Sequence, residues 1–326
     1  MVFRSSVEAV DFGLIEALHG KNPLALQQYA ATYRNTPIEP YIFAARINAR
    51  DAAKGTLSAS ISQGLERFAG IPPIERLRAS LLKEWARSGD WPQFETHSKR
   101  IPVWLKESDT ELQCAMLIHT RVSQNQSAVS RADLFEKLRE FPPLCTDAFS
   151  GVVSSGEIAK ETALDKLVQI ATFGSRASGL RLQQMLSNEP ESIISAKASA
   201  VVEILHAARD SFADGKKQLV AYDGVLDTAL RRLVTTHVGL LGARKHENEA
   251  HDLIRSVDGY RIGISASAAE WRTRAAIMAG AWKDVLASIL SLPPEVRREP
   301  FQHYWHARAL QKLAQTEAAR VLFVEL

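Results

Sequence analysis

The histidines are the first residues to test for chemistry. His246-Glu247-Asn248-Glu249-Ala250-His251 superficially offers two imidazoles and intervening carboxylates for zinc. A metallopeptidase pair, however, needs its histidines four apart on one helix face. Five apart, at 100° per residue, they point about 140° away from one another. The expectation is a solvated helix and no metal centre. His303 and His306 are three apart and could share a face, but no third ligand accompanies them and they flank Tyr304-Trp305. No metal ligand and no cofactor is assigned.

Trp91, Trp271, Trp282 and Trp305 carry the ring type that stacks on sugar faces. Their places at helix starts and inside apolar stripes point instead to packing. Arg272, Arg274 and Arg308 could pair acidic groups of a ligand. Intramolecular carboxylates or the last carbonyls of a helix are the nearer partners. Cys114 and Cys145 are the only cysteines, and neither sits in a Cys-x-x-Cys pair. They are either two buried thiols or one disulfide, the latter requiring an oxidising compartment. Phosphate-cradling glycine loops, a Gly-x-Ser-x-Gly elbow and a dinucleotide fingerprint are all absent. No catalytic residue is nominated.

The elements that must position these residues are helical. Leu77, Leu81 and Trp85 fall at i, i+4, i+8; Leu164, Leu167, Val168 and Ala171 at i, i+3, i+4, i+7. Val225, Leu226, Ala229, Leu230 and Leu233 continue the template. No run of alternating β-branched residues bounded by hairpin turns occurs, so no strand is expected. A punctuation recurs at Ala17-Leu18-His19-Gly20, at Trp85-Ala86-Arg87-Ser88-Gly89 before Trp91, and at Ile277-Met278-Ala279-Gly280 before Trp282. A helix ending at a glycine cap and restarting almost at once must fold back on itself as an αα-hairpin. Such hairpins bury both faces only by stacking, which makes a solenoid. Pro72-Pro73, Pro142-Pro143 and Pro293-Pro294 mark further breaks. Helices of about 12 residues would number about eighteen in this length. No strict period of about 34 residues is visible, so the repeats are degenerate.

Composition agrees. The chain has 326 residues, 46% hydrophobic and 24% charged, with no linker or charge block to divide it, which favours one repeat array over two separate cores. A net charge of +3 with cations and carboxylates intermixed argues against nucleic acid as a partner. No stretch approaches the roughly 20 apolar residues of a membrane span. Residues 1–10 lack the basic start and apolar run of a secretory leader. Residues 316–326 read as the second helix of a hairpin with Val321, Leu322, Val324 and Leu326 near its end, an apolar face without the polar outer side of a terminal repeat. The expected organisation is a single α-superhelical domain, 1–326, stopping mid-repeat.

Glu270-Trp271-Arg272-Thr273-Arg274-Ala275-Ala276, then Trp282 and Val285, then Ile289-Leu290-Ser291-Leu292-Pro293, then Tyr304-Trp305-His306-Ala307-Arg308-Ala309-Leu310 form an ordered series. This series resembles the N-terminal superhelical domain of soluble lytic murein transglycosylases. Residues 78–91, Leu112-Gln113-Cys114, Pro143-Leu144-Cys145 and Leu230-Arg231-Arg232-Leu233 fit the same pattern in the same order. The likeness runs from about residue 24 onward. It implies a ring-like α-superhelix, a periplasmic location, a Cys114–Cys145 disulfide, and packing roles for Trp91, Trp271, Arg272, Trp282, Tyr304, Trp305 and Arg308. In that family the chemistry belongs to a separate C-terminal lysozyme-like domain. One glutamate there acts as acid and then base while the sugar's own 6-hydroxyl attacks, giving 1,6-anhydro products. No segment of this chain matches that domain. The resemblance therefore implies a scaffold, inactive alone, that meets peptidoglycan strands within the intact enzyme. The alternative is a tetratricopeptide-like adaptor for protein partners, which expects free cysteines.

Overall fold

The computed structural model describes residues 12–20, 22–49, 59–123, 130–189 and 192–326; residues 1–10 lie outside them. Among the described residues every regular element is helical. The chain groups into two compact units, the first containing residues up to 129 together with Pro143–Ala148, the second Ser130–Pro142 and Phe149–Leu326.

The first unit contains α1 (Phe12–Gly20), α2 (Pro23–Thr32), α3 (Glu39–Ala49), α4 (Ala59–Arg67) and α5 (Pro72–Ser88). It continues with α6 (Trp91–Ser98), α7 (Val103–Ser108) and α8 (Thr110–Val122). After α9 (Arg131–Lys137), which belongs to the second unit, α10 (Pro143–Phe149) returns nearly all its residues to the first. The second unit goes on through α11 (Lys160–Phe173), α12 (Arg176–Ser187), α13 (Ser192–Asp210), α14 (Phe212–Ala221) and α15 (Thr228–Arg244). Then come α16 (Ala250–Ser256), a 3₁₀ turn (Gly259–Arg261), α17 (Ala266–Met278) and α18 (Trp282–Leu290). It ends with α19 (Pro294–Arg297), α20 (Pro300–Lys312) and α21 (Thr316–Val324). These 21 α-helices among the described residues exceed the eighteen expected, because α7, α9, α10, α16 and α19 are only one or two turns long.

Consecutive helices pack as hairpins, and alternate helices α11, α13, α15 and α17 touch in series, as stacked repeats must. Glycines end helices where the sequence placed them. Gly89 has φ +74° and donates to Trp85 O; Gly280 has φ +63° and donates to Ile277 O at 3.0 Å. Both carry the left-handed backbone that a side chain opposes. Gly20, by contrast, is the last helical residue of α1, and Asn22 instead opens α2 by accepting from Leu24 N at 3.1 Å. Pro72, Pro143 and Pro294 each begin a helix, where a missing N–H costs nothing.

In the first unit Trp85 is buried, and the buried Arg78 ties three elements together. It donates to Glu75 at 3.1 Å, reaches His97 Nδ1 at 3.0 Å and donates to Leu65 O at 2.8 Å. Cys114 of α8 and Cys145 of α10, both fully buried, are joined as a disulfide, Cα–Cα 5.0 Å, across a sequence separation of 31.

Candidate functional site

The Glu270–Leu310 series closes around one side chain in the second unit. Arg272 is fully buried on α17. Its Nη1 donates to Gly259 O at 2.9 Å and Ile262 O at 2.7 Å, its Nε to Ser288 Oγ at 3.0 Å, and its Nη2 to Ser288 O at 3.1 Å and to Ser291 Oγ. Among the described residues no carboxylate pairs with it. The guanidinium instead sits against the C-terminal carbonyls of α18 and the 3₁₀ turn, where oriented dipoles favour a cation. Desolvation lowers its pKa to about 10, so it stays charged at neutral pH. Next to it Thr273 meets Ser288 Oγ at 2.9 Å, and the buried Gln302 brings in α20. Four elements are thus pinned by two adjacent motif residues, Arg272 and Thr273.

The outward residues of the same series form a row of rings and cations. Arg244, at the end of α15, lies with Cζ 5.9 Å from the Phe173 ring and 5.7 Å from that of Trp271. Arg274 lies 5.2 Å from the Trp271 ring and 4.9 Å from that of Phe301. Beyond Phe301, Trp305 stacks on Trp282 at 6.5 Å, and Lys312 sits 5.7 Å over Trp282. The five helices α11, α15, α17, α18 and α20 each contribute to the row. Arg244 and Arg274 are exposed, while the rings of Phe173, Trp271, Phe301 and Trp305 are half-buried. Arg274 pairs with Glu270 at 3.1 Å; no described carboxylate lies within ion-pair distance of Arg244.

Phe173 also lines a groove of about 670 Å³ with Arg139, Lys166, Gln169, Ser265 and Ser267. Lys166 is buried, its ammonium donating to Glu136 O and to Leu138 O at 3.3 Å, and desolvation lowers its pKa. A second groove of about 320 Å³ has Leu164, Ile194, Leu230 and Leu233 on its floor and Asp165, Lys197 and Asp227 on its rim. Asp227 is already committed, capping α15 through Leu230 N at 3.0 Å and pairing with Lys197 at 2.6 Å. Asp165 has its pKa raised by desolvation and by Glu161 and Asp227, and Glu161 lines the same groove.

The remaining sequence-nominated residues separate. Trp91 lies in the first unit at the start of α6, packed on Phe94 at 5.7 Å and His119 at 5.8 Å. Tyr304 is exposed, edge-on to Trp305 at 5.2 Å and to Phe323 at 6.1 Å. Arg308 donates to Gln311. His303 donates to Leu322 O at 3.0 Å, and His306, half-buried, has its pKa lowered by desolvation, His303 and Arg297. Among the described residues no group of three or more His, Cys, Asp or Glu side chains gathers as for a metal ion, and no helix is long and apolar enough to cross a membrane.

The solvated helix expected over residues 246–251 is corrected. His246 stands in a turn at φ +61°, so no helix joins it to His251. His251 is buried on α16, its Nδ1 2.8 Å from Tyr260 Oη and its Nε2 3.6 Å from Asp284. Sequence reasoning also passed over Arg244, Phe173 and Phe301. Their only advance signal was an apolar or basic residue at a helix end.

No family model matches the chain, and no curated relative matches it. Solved structures similar to it include the following three. An inactive mutant of the lytic transglycosylase Slt from Pseudomonas aeruginosa is 20% identical, with TM-score 0.46, over 95% of this chain and 54% of its own. The 70-kDa soluble lytic transglycosylase in complex with bulgecin A is 16% identical, TM-score 0.40, over 96% and 54%. The 70-kDa soluble lytic transglycosylase from Escherichia coli is 17% identical, TM-score 0.41, with the same coverage. This chain spans about half the length of each of those proteins.

Proposed function

We propose that this chain is the helical scaffold of a murein-cleaving lytic transglycosylase, acting in the periplasm, and that it restrains glycan strands without cleaving them. The observation that carries the reading is the double use of one motif series. Inward, Arg272, Thr273 and Gln302 lock α17, α18 and α20 together. Outward, Trp271, Arg274 and Trp305 contribute to a continuous row of rings and guanidinium groups. A rigid helical body that presents such a row suits a polymer carrying hydroxyl, acetamido and carboxylate groups better than a small substrate.

Cleavage would need a carboxylic acid poised to protonate the glycosidic oxygen and then take up a proton. We assign that step to a domain supplied by the intact enzyme and no residue of this chain to catalysis. Incubating the purified chain with murein sacculi and analysing the soluble products by mass spectrometry tests this. The chain is expected to co-sediment with the sacculi and release nothing; 1,6-anhydro-muropeptides in the supernatant would refute it. The adaptor reading expects free thiols, and the joined Cys114 and Cys145 weigh against it.

A further inference from the structure

We propose that Arg244 and Arg274, held by the rings of Phe173, Trp271 and Phe301, form a two-guanidinium site for the carboxylates of an acidic amino-sugar polymer, so that the scaffold prefers carboxylate-bearing glycan to neutral glycan. This inference rests on the glycan-restraining reading above and deepens it by naming what is recognised.

Each guanidinium lies over aromatic rings, which engage its face. A stacked guanidinium keeps its N–H edges available, and those edges match a carboxylate in a bidentate fork. The rings also limit rotamer freedom, so less entropy is lost when the anion arrives. Arg244 has no carboxylate partner among the described residues. Arg274 has one, Glu270, but both members of that pair are more than two-fifths exposed. An exposed i,i+4 pair is worth only about 0.3–0.5 kcal/mol, so an incoming carboxylate can replace it.

The surroundings hold further cations together with acids. Arg209 caps α11 by donating to Ala171 O at 3.2 Å and Gly174 O at 2.6 Å, and its pKa is lowered by desolvation and by Arg176 and Arg244, against the raising effect of Glu140 and Asp210. The acids of that edge each have a hydrogen-bond partner. Asp210 is bound by Arg176, and Glu140 accepts from Ser175 N at 2.8 Å and Ser175 Oγ at 2.8 Å. The groove beyond Phe173 then offers Gln169, Ser265 and Ser267 as neutral partners for hydroxyl and acetamido groups, alongside Arg139, Lys166, Glu136 and Glu140. One guanidinium without a carboxylate partner among the described residues and one in an exposed, replaceable ion pair, beside these hydrogen-bonding groups, fit intermittent carboxylates on a sugar chain. They do not fit the unbroken phosphate charge of nucleic acid, which asks for a longer basic stripe.

The test uses the full chain. Wild type, R244Q/R274Q and E270Q are each sedimented with murein sacculi and with chitin particles at low and high salt, with circular dichroism to confirm the helical fold. Wild type is expected to bind sacculi about tenfold more tightly than chitin, equivalent to about 1.4 kcal/mol, and to lose that margin in high salt. R244Q/R274Q is expected to bind both alike, and E270Q, which frees Arg274, to bind sacculi more tightly than wild type. A folded R244Q/R274Q that keeps the preference overturns the inference, as does capture of single-stranded DNA as tight as capture of sacculi. If wild type pellets with neither polymer, the scaffold reading fails. A calorimetric comparison of a muramyl-peptide disaccharide with chitobiose then decides the inference by itself: an Arg244-dependent preference for the former supports it, and equal or absent binding refutes it.

Discussion

Replacing Arg272 with methionine should destabilise the second unit by about 4 kcal/mol, although no carboxylate is lost from its side. The substitution keeps most of the stem volume and removes five donated hydrogen bonds. Two hydroxyl partners can adjust, since Ser291 Oγ already donates to Ser288 O at 2.7 Å and Ser288 Oγ already meets Thr273 Oγ1. Gly259 O and Ile262 O have no such substitute in view and would be left buried. At about 1–3 kcal/mol for each unsatisfied buried carbonyl, the loss is roughly 2–6 kcal/mol. Relief of the desolvated cation, whose pKa of about 10 records the cost of burying it, offsets part of the upper range. Urea unfolding followed by circular dichroism measures the difference. Limited trypsin digestion should show earlier cutting at Arg255, ahead of the 3₁₀ turn, and at Arg261, its last residue. R272M within 1 kcal/mol of wild type, with unchanged digestion, would show that the turn and α18 are held by apolar packing alone.

Reducing Cys114–Cys145, or replacing both with alanine, should cost about 3.5 kcal/mol by the loop-entropy relation for a closure of this length, read as a lower urea midpoint in dithiothreitol. His237 is fully enclosed and has a pKa lowered to about 3 by desolvation first and Arg272 second. The unfolded chain takes up that proton below about pH 6.5 and the folded chain does not. Stability should therefore fall by about 1.4 kcal/mol for each pH unit between 6.5 and 3, and the slope should shrink in H237Q. Gly215→Ala would bring a Cβ within 2.5 Å of Ala208 Cβ and 2.8 Å of its Cα, so a loss of about 1–3 kcal/mol is expected in thermal unfolding. Ala314→Gly should raise stability by about 0.5–1 kcal/mol by relieving a left-handed alanine at φ +61°.

The hairpin grammar was legible at Gly89 and Gly280, where a glycine takes the left-handed cap. It was illegible where another residue takes the same backbone. His246 and Ala314 both hold positive φ at helix ends, so a search for glycine misses the turns after α15 and α20. That omission let residues 246–251 pass as one helix, since glutamate and alanine are good helix formers and nothing local objects. The expected number of helices came from a typical helix length of about 12 residues, which the five shortest fall well below. At the site, Trp271, Arg274 and Trp305 drew attention through their motif. Phe173 and Arg244 come from distant parts of the chain and meet the motif only after stacking. The burial of Arg272 depends on carbonyls of a turn with no sequence signature of its own.

The bond between Cys114 and Cys145 turns the intervening chain into a covalent ring, and Ser130–Pro142, which packs with the second unit, lies on that ring. A protease nick anywhere between the two cysteines would leave one molecule until a reductant opened it. Nor can the two units be parted by a single cut. A fragment ending before Ser130 lacks α10 and the second thiol, whereas one prolonged to Ala148 carries off residues that its neighbour needs. Dissection by truncation would injure both units at once, so each is best probed by substitutions within the uncut molecule.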